Sequence, residues 1–401
     1  MATENNNKNL NVPNLRFPEF SGEWERKKLG DIGTTLIGLT YSPQDVVPSD
    51  GTIVLRSSNI KGGLLDYTDL VKVNKKIKES IITRTNDILI CARNGSARLI
   101  GKNAILKDSD CGHTFGAFMM VYRSEDNPFV HQLLSTKRYY SQVAENLGAR
   151  INQITTSDLN SFEFSFPQSK KEKVKIASML SLLDERIATQ NKIIEKLESL
   201  IRGLITDVNS GRIAQCKSVY LRDLLIEQHE KNTNNYEVCS VSVSQGVINQ
   251  IDYLGRSFAA KEVLHYNVVN CGDIVYTKSP TGEFPYGIVK RSDITKPVAV
   301  SPLYGVYRPI NDYVGRYLHL YFKSPINAKN YLHKLIQKGA KNTINITNQH
   351  FLNNKILIPE KGWLDKIVKF AAAIEMKIAT ENKVLQTLQQ QKDYLLSKMF
   401  I

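Results

Sequence analysis

The stretch LDERIATQNKIIEKLESL, which runs from Leu183 to Leu200, has a second version near the end of the sequence. The second version, IEMKIATENKVLQTLQQQ, runs from Ile374 to Gln391, and both contain Ile-Ala-Thr-x-Asn-Lys at a constant offset of 191 positions. Neither version contains Pro or Gly, and in both the apolar residues recur with the spacing of one helix face. The sequence therefore predicts two copies of one long helix, which divide the chain into two comparable parts.

The two predicted helices carry a heptad pattern with apolar a and d positions. The first begins after Pro167 and the second after Pro359, and about 38 residues at 1.5 Å each would make a rod of about 57 Å. Two amphipathic helices of equal length and phase are predicted to pair with each other. Because a globular segment lies between them, an antiparallel pair is favoured over a parallel pair or a groove filled by a partner. The predicted seam residues are Ile187, Ile194, Leu197, Ile201, Leu204, Ile378, Leu385, Leu388 and Leu395.

Two polar residues interrupt the predicted seam at equivalent positions, Gln190 in the first helix and Glu381 in the second. Such positions are either tolerated at solvated points of the seam or fix its register at some cost in stability. The second interpretation is slightly favoured. On this view the helix pair sets the distance between the two globular parts.

The repeat extends over most of the chain, with offsets between 185 and 192 positions. A drift in the offset is what two homologous domains with loops of different length would produce. The matching segments are KKLGDI (27–32) with VYLRDL (219–224), NDILICAR (86–93) with GDIVYTKS (272–279), VYRS (121–124) with VYRP (306–309), LGARINQIT (147–155) with KGAKNTINIT (338–347), and FEFSFP (162–167) with NKILIP (354–359).

Each copy therefore reads as a mixed α/β (α+β) domain followed by one long helix. Short β-type runs, such as 53–55, 88–90, 118–122, 274–276 and 299–307, alternate with turn-forming clusters. Single helices are predicted over 129–145 and 314–337. The predicted organisation is a disordered tail (1–14), a first domain (15–167), a central helix (168–210), a second domain (211–359) and a C-terminal helix (360–401).

The chain is basic, with 53 Lys and Arg against 39 Asp and Glu and a net charge of +14. Residues 211–401 carry most of the excess, 25 against 15, whereas residues 1–210 carry 28 against 24. A basic balance favours a polyanionic partner such as nucleic acid, although it also serves solubility. The polar start, the lack of a membrane-length apolar run and five scattered cysteines predict a cytoplasmic protein without disulfides or a structural zinc site.

Three segments resemble enzyme or metal-binding motifs, but each lacks residues that the motif requires. The segment Gly95–Lys102 resembles a phosphate loop, but five residues separate its glycines instead of four, and Asn103 stands where a magnesium-binding Ser or Thr is needed. The segment Asn127–Val130 lacks the second Pro of an adenine methyltransferase loop, and no glycine-rich cofactor loop precedes it. Cys111 and His113 could supply two metal ligands, but nothing nearby supplies the rest. The sequence favours a binding protein without catalytic residues or a metal of its own.

The segment PNLRFPEFSGEWERKKLGDI (13–32) resembles the N-terminal signature of specificity subunits of type I restriction-modification systems. The resemblance continues through the chain in the order recognition domain, helix, recognition domain, helix. One departure is that the family often has Glu-Gln after the Pro, whereas this chain has Glu172-Lys173 in the first copy and no equivalent in the second.

The resemblance implies that the chain has no activity alone. It would bind a bipartite, asymmetric sequence in double-stranded DNA and hold two modification subunits, which methylate adenine with S-adenosylmethionine. Restriction subunits, which act as translocase and nuclease, would join them. S-adenosylmethionine, ATP and Mg²⁺ would belong to those partner subunits, and no cofactor, membrane or metal is expected for this chain.

Loops at the ends of matching strands are the best candidates for reading DNA, because Arg, Asn and Gln can form paired hydrogen bonds with base edges and Lys mostly meets phosphate. The alternative for each residue is an ordinary solvated loop side chain, or a helix cap at the two Gly-Ala-basic segments. The candidates of the first copy are Arg56, Ser57, Asn59, Arg93, Asn94, Ser96, Arg98, Arg150, Asn152 and Gln153. Those of the second copy are Ser242, Ser244, Gln245, Lys278, Ser279, Thr281, Lys341, Asn342 and Asn345.

Two other functions compete with a DNA-specificity subunit. An autonomous methyltransferase or nuclease would need the cofactor and metal motifs that the sequence lacks. A coiled-coil scaffold that never touches DNA would leave the basic charge and the duplicated polar loops unexplained.

Overall fold

The computed structural model describes residues 11–147, 152–254, 262–338 and 344–401. It divides into two compact units, which we call unit 1 (Met1–Lys192 with Lys383–Ile401) and unit 2 (Ile193–Asn382). Each unit thus contains a segment from each of the two long helices.

Unit 1 contains one mixed globular domain and the beginning of the first long helix. Its strands are β1 (Glu25–Lys28), β2 (Thr34–Ile37), β3 (Val46–Val47), β4 (Thr52–Leu55), β5 (Ile60–Lys61), β6 (Leu64–Leu65), β7 (Val71–Val73), β8 (Ile88–Cys91), β9 (Asn103–Ile105), β10 (Thr114–Phe115), β11 (Met119–Arg123) and β12 (Glu163–Phe166). Its helices are α1 (Leu29–Ile32), α2 (Asn127–Leu133), α3 (Lys137–Leu147) and α4 (Thr156–Ser161), and α5 (Lys170–Asn209) begins in it.

Unit 2 repeats this plan and contains most of the last helix. Its strands are β13 (Cys216–Tyr220), β14 (Leu225–Glu227), β15 (Cys239–Ser242), β16 (Gly246–Asn249), β17 (Asn267–Val269), β18 (Ile274–Thr277), β19 (Ile288–Arg291), β20 (Val298–Val300), β21 (Gly305–Pro309), β22 (Gln337–Lys338), β23 (Ile344–Asn345) and β24 (Lys355–Pro359). Its helices are α6 (Gln250–Leu254), α7 (Asp312–Phe322), α8 (Pro325–His333) and α9 (Asn348–Leu352), and α10 (Lys361–Met399) begins in it.

The strand order confirms the duplication that the sequence predicts. Unit 1 has a four-stranded sheet in the order β2-β11-β8-β9, and unit 2 has its equivalent in the order β14-β21-β18-β19. In both units an antiparallel pair joins the first strand to the last, β1 to β12 and β13 to β24. Unit 1 adds a second sheet, β10-β4-β7-β3, in which β10 runs parallel to β4. The two domains therefore share one central topology and differ in the strands around it.

The long helices pair with each other inside each unit. In unit 1, Leu180 shares a core with Leu396 and Met399, and one turn further along α5 Asp184 meets Lys392 at 2.5 Å. Partners whose numbers fall as α5 advances make this an antiparallel pair, as predicted. In unit 2, Ile201, Ile205 and Val208 of α5 share a core with five residues of the α10 segment. Those five residues are Leu364, Ile367, Val368, Ala371 and Ile374.

Three local predictions are wrong. The single helix predicted over 129–145 ends at Leu133, and α3 begins only at Lys137; the Thr136 hydroxyl donates to the Leu133 carbonyl at 2.6 Å within the break. The helix predicted over 314–337 is interrupted before Pro325, which has no N–H to donate and instead starts α8 behind the Ser324 cap. The strand predicted over 299–307 is two strands, β20 and β21, separated by a turn.

The described end of the predicted tail is attached to the domain. The Asn11 carbonyl accepts a hydrogen bond from the Trp24 backbone at 2.8 Å, and the Asn11 side chain accepts one from Ser165. Pro13 is buried. Asn11 is therefore bound to the first domain, and residues 1–10 of the predicted tail lie outside the described residues. Among the described helices, none is apolar over a long enough stretch to cross a membrane.

A buried ion pair ties the N-terminal segment to the start of α5. Arg16 donates to both carboxylate oxygens of Glu172, at 2.7 and 2.8 Å, and the Trp24 indole donates to the same carboxylate at 3.3 Å. The Glu172 side chain is 1% exposed and that of Arg16 is 15% exposed. The hydrogen bond from Arg16 to Glu172, which outweighs the desolvation of the guanidinium, raises the pKa of Arg16. Glu172 thus connects the segment 13–32 to the start of α5.

We expect Glu172→Ala to lower the free energy of unfolding by about 3 kcal/mol, because it leaves a mostly buried guanidinium without its carboxylate. Urea denaturation of the full chain measures the change. The matched control is Glu125→Ala, since Glu125 is 92% exposed and meets Lys170 only at 3.7 Å. Equal stability losses in the two variants would contradict a structural role for the buried pair.

In each unit the pKa of one histidine is lowered well below its ordinary value. In unit 2, His319 Nδ1 accepts the backbone N–H of Arg291 at 3.2 Å, and burial, with Lys290, Lys323, Arg291 and Arg316 nearby, lowers the pKa of His319 to about 3. In unit 1, burial lowers the pKa of His131 to about 4; Asp184 opposes the shift and Lys392 adds to it. With these pKa values both imidazoles are neutral at pH 7 and carry a single ring proton.

These pKa values lie below the ordinary value of about 6.5, so the unfolded chain binds more protons than the folded chain between about pH 6.5 and pH 4. We therefore expect the stabilisation from neutral histidines to be complete above about pH 6.5 and to decline as the pH falls. Denaturation at pH 7, 6 and 5 should show a shallower decline for His319→Gln than for the wild type. The exposed His229→Gln should keep the wild-type slope, and a slope unchanged in His319→Gln would refute this account.

Candidate nucleic-acid interface

The first candidate loop of unit 1 is a turn that follows β4. The Asn59 side chain accepts the Arg56 backbone N–H at 2.9 Å and donates to the carbonyls of Asp66 and Asp69 at 3.0 and 2.8 Å. Asn59 is fully buried, so it holds the turn and offers no group to a ligand, in contrast to its prediction as a DNA-contacting residue. Arg56 and Ser57 remain partly exposed, and the Arg56 guanidinium pairs with Asp69 at 2.8 Å.

The second candidate loop follows β8 and is bound to the first. The Asn94 amide donates to the Ser57 hydroxyl at 3.0 Å, and Asn94 Oδ1 accepts the backbone N–H of Ser96 at the same distance. Arg93, Ser96 and Arg98 are exposed on this loop. The loop thus presents basic and hydroxyl side chains, while Asn94 holds its shape.

The third candidate segment completes the cluster. The Asn152 amide donates to the Gly95 carbonyl at 3.0 Å, and the Asn94 backbone N–H donates to the Asn152 carbonyl at 3.3 Å. Gln153 bridges Arg93 in an antiparallel backbone pair. Arg150 lies outside the described residues. Segments far apart in sequence therefore meet at one surface of unit 1, which we call the loop cluster (residues 56–58, 93–98, 152 and 153).

Lys102 and Phe118, which are not among the sequence candidates, also lie at the loop cluster. Lys102 extends its Nζ to within 3.4 Å of the Ser57 carbonyl. Phe118 is 59% exposed, and its ring lies 5.2 Å from the guanidinium carbon of Arg93. A groove of about 610 Å³ lies beside them and is lined by Tyr41, Arg56, Ser57, Phe118 and other residues. Phe118 is not among the sequence candidates because those are all charged, amide or hydroxyl side chains.

The candidates of unit 2 form two described loops. In the turn between β15 and β16, Ser244 and Gln245 are exposed, whereas Ser242 is buried and its hydroxyl lies 3.3 Å from that of Ser244. Ser242 therefore shapes the turn, in contrast to its prediction as a DNA-contacting residue.

The second described loop of unit 2 follows β18. Thr281 exchanges two backbone hydrogen bonds with Phe284, which forms a tight turn, and Ser279 and Thr281 are exposed. Lys278 is half-buried, and burial lowers its pKa while Glu227 opposes the shift. Among the described residues, no hydrogen bond joins this loop to the turn at 242–245, unlike the interlocked loops of unit 1. Lys341, Asn342 and the side chain of Asn345 lie outside the described residues.

The seam residues predicted for the long helices are shielded from solvent to different degrees. Every predicted seam residue is buried or half-buried, and the two polar seam positions are buried as well, Gln190 at 7% and Glu381 at 9% exposure. Both of these polar side chains have partners. Asn191 and its counterpart Asn382 are exposed.

The described residues contain no group of three or more His, Cys, Asp or Glu side chains that could hold a metal ion. Cys111 and His113, the two possible ligands noted in the sequence, are each only half-buried. The His113 ring lies edge-on to Tyr67 at 5.9 Å, and burial lowers the pKa of His113 against the opposing effect of Asp110.

Comparison with known proteins bears on this arrangement. Residues 21–199 match the family model of the type I restriction modification DNA specificity domain. The full chain is 22% identical to the type I restriction enzyme EcoKI specificity subunit of Escherichia coli (strain K12), over 94% of this chain and 88% of that protein. Residues 21–199 therefore contain a type I restriction modification DNA specificity domain.

Two further known proteins are similar to this chain. The chain is 26% identical to the type I restriction enzyme StySPI specificity subunit of Salmonella potsdam, over 52% of this chain and 47% of that protein. The crystal structure of a type I restriction-modification system S subunit from M. genitalium has the same fold, with a TM-score of 0.60, 15% identity and coverage of 97% and 99% of the two chains. The matched region 21–199 contains the whole loop cluster of unit 1.

We expect Asn59→Ala to lower the free energy of unfolding by about 1–3 kcal/mol, because it removes a buried amide that bonds three partly buried backbone groups. Arg98→Ala should leave the stability unchanged, since Arg98 is exposed. Thermal or urea denaturation of both variants measures the difference. A stability of Asn59→Ala equal to that of Arg98→Ala would show that the Asn59 hydrogen bonds do not hold the turn.

Proposed function

We propose that this chain is the non-catalytic DNA-specificity subunit of a type I restriction-modification complex. Each unit reads one half of a bipartite, asymmetric target in double-stranded DNA. The complex also contains two modification subunits, which methylate adenine, and restriction subunits, which translocate and cleave DNA. We place the complex in the cytoplasm.

The loop cluster of unit 1 is the observation that carries this proposal. Three segments separated by up to about 95 residues are held together there by hydrogen bonds of 3.0 to 3.3 Å. Their exposed side chains include Arg93 and Arg98, and the half-buried Gln153 adds an amide. Arginine and amide groups are those that pair with guanine and adenine edges, and a surface held rigid by its own backbone can present them in one geometry.

Unit 2 has candidate loops related to those of unit 1 by the duplication, but their side chains differ. Its loops leave equivalent strand ends, yet they carry Ser, Thr, Gln and Lys where unit 1 has Arg and Asn. Two related domains with unlike side chains at matching positions suit two unlike half-sites. The net charge of +14 supports binding to a polyanion, because phosphate contacts contribute much of the affinity for DNA.

The long helices offer surfaces for the modification subunits. Asn191 and Lys192, with their counterparts Asn382 and Lys383, are exposed beside the seam. The partner subunits would supply S-adenosylmethionine, ATP and Mg²⁺. This chain then contributes binding and positioning, and the reacting groups belong to its partners.

The test is co-expression with the modification subunit of the same system, followed by mapping of adenine methylation across the host genome. A split motif with a constant gap is the expected result. Methylation by this chain alone would instead indicate an autonomous enzyme, and the absence of any sequence-dependent mark in every pairing would indicate a scaffold.

We expect that replacing residues 1–167 by the equivalent segment of another specificity subunit changes one half of the methylated motif and leaves the other half and the gap unchanged. The junction follows Pro167 because β12 pairs with β1 and must be exchanged with it. The donor should carry an Arg at the position of Arg16, so that the ion pair with Glu172 is kept. A change in both halves of the motif would contradict one domain per half-site.

A further inference from the structure

Phe118 occupies the third position of a tight turn that enters β11. The Met119 backbone N–H donates to the Gly116 carbonyl at 2.8 Å, which closes the turn. The Phe118 carbonyl accepts the backbone N–H groups of both Ala92 and Arg93, each at 3.0 Å. The backbone is thus fixed from two sides, while the ring stays 59% exposed beneath the Arg93 guanidinium. An apolar ring in this position is held out toward solvent at the edge of the loop cluster.

Unit 2 has an equivalent side chain in an equivalent turn. The Tyr304 backbone N–H donates to the Ser301 carbonyl at 3.0 Å, which places Leu303 at the third position of the turn entering β21. Leu303 is 74% exposed. Tyr122 and Tyr307 occupy the same register against Ile88 and Ile274 in the two central sheets, so the turns correspond at an offset of 185.

Both turns leave the central sheet at the end where the candidate loops begin. In unit 1, β11 starts opposite Cys91, the last residue of β8, and Arg93 follows. In unit 2, β21 starts opposite Tyr276, and Lys278 follows the end of β18 at Thr277. An exposed apolar side chain beside basic and hydroxyl residues thus occurs at the equivalent position of each unit.

We infer that Phe118 and Leu303 contact bases directly, one in each half-site, and that the group each recognises is the 5-methyl of a thymine. The inference rests on the proposed DNA-reading function. The thymine methyl is the one apolar feature that the four bases present in the major groove, and apolar side chains are its usual partners. Arg93, stacked on Phe118, is then placed to contact an adjacent base or phosphate. Each unit would combine a polar reading of base edges with one apolar contact.

The experiment uses the complex with its modification subunits and the target found by methylation mapping. Each thymine of the target is replaced in turn by 2′-deoxyuridine, which removes only the methyl group, and the Kd of each duplex is measured by fluorescence anisotropy. For the wild type, at least one replacement in each half-site should weaken binding by about fourfold, the factor expected for one buried methyl group. Phe118→Ala should remove this sensitivity in one half-site and Leu303→Ala in the other.

Conservative and remote variants separate a base contact from a structural effect. Phe118→Leu and Leu303→Met keep an apolar side chain and should keep the sensitivity to deoxyuridine. Tyr140→Ala and Ile326→Ala remove apolar side chains that are 46% and 70% exposed in the same two units, and they should bind like the wild type. Thermal melting confirms that each variant is folded.

Two results would overturn the inference while leaving the proposed function intact. One is a wild-type complex that binds a split target but is indifferent to deoxyuridine in either half-site. The other is an unchanged sensitivity in Phe118→Ala or Leu303→Ala. A wild-type complex that has no DNA target at all would overturn the proposed function itself.

Discussion

The burial of the apolar stripe on the two long helices is the constraint on which the rest of the structure depends. Each of α5 and α10 has one apolar face along its length. Exposure of that face to water is unfavourable, so it must pack against other residues. In unit 1 the beginning of α5 covers the end of α10, so that Leu180 and Met399 complete one core. In unit 2 the end of α5 and the beginning of α10 do the same through Ile205 and Ile367. Each domain core therefore contains residues from distant parts of the chain. Removal of either helix segment would expose apolar residues of that core to solvent.

Two ion pairs near these helices are buried or half-buried. Glu172, at the start of α5, anchors the N-terminal segment through Arg16, and Asp184 meets Lys392 on the other helix. A buried ion pair contributes less to net stability than its short distance suggests, but an unmatched partner is costly. Such pairs therefore favour one register of the packed elements over its neighbours. The buried Gln190 and Glu381 are suited to the same task, which agrees with the interpretation that polar seam positions fix the register.

The candidate DNA-reading surface depends on the sheets in turn. Strand β8 ends next to the turn that follows β4, and the Asn94 to Ser57 hydrogen bond locks the two loops together. Asn59 shows how a residue type suited to recognition can serve the fold instead, because its amide donates to the backbone carbonyls of Asp66 and Asp69. Phe118 shows the reverse, since a residue type suited to a core is held at the surface. Composition alone does not separate these two roles.

The sequence by itself determined the duplication, the two long helices and their antiparallel pairing, because periodic apolar spacing and a repeated order of segments are one-dimensional properties. It also placed the candidate loops at the ends of β4 and β8. It did not reveal the break before Pro325 within a predicted helix, although the Pro was visible, because the apolar pattern on either side is continuous. Only the tertiary structure decided that Asn59 and Ser242 are buried while Phe118 and Leu303 are exposed. The physical reason is that burial depends on which distant segments pack over a residue, and those contacts are set by the closed fold and not by the local sequence.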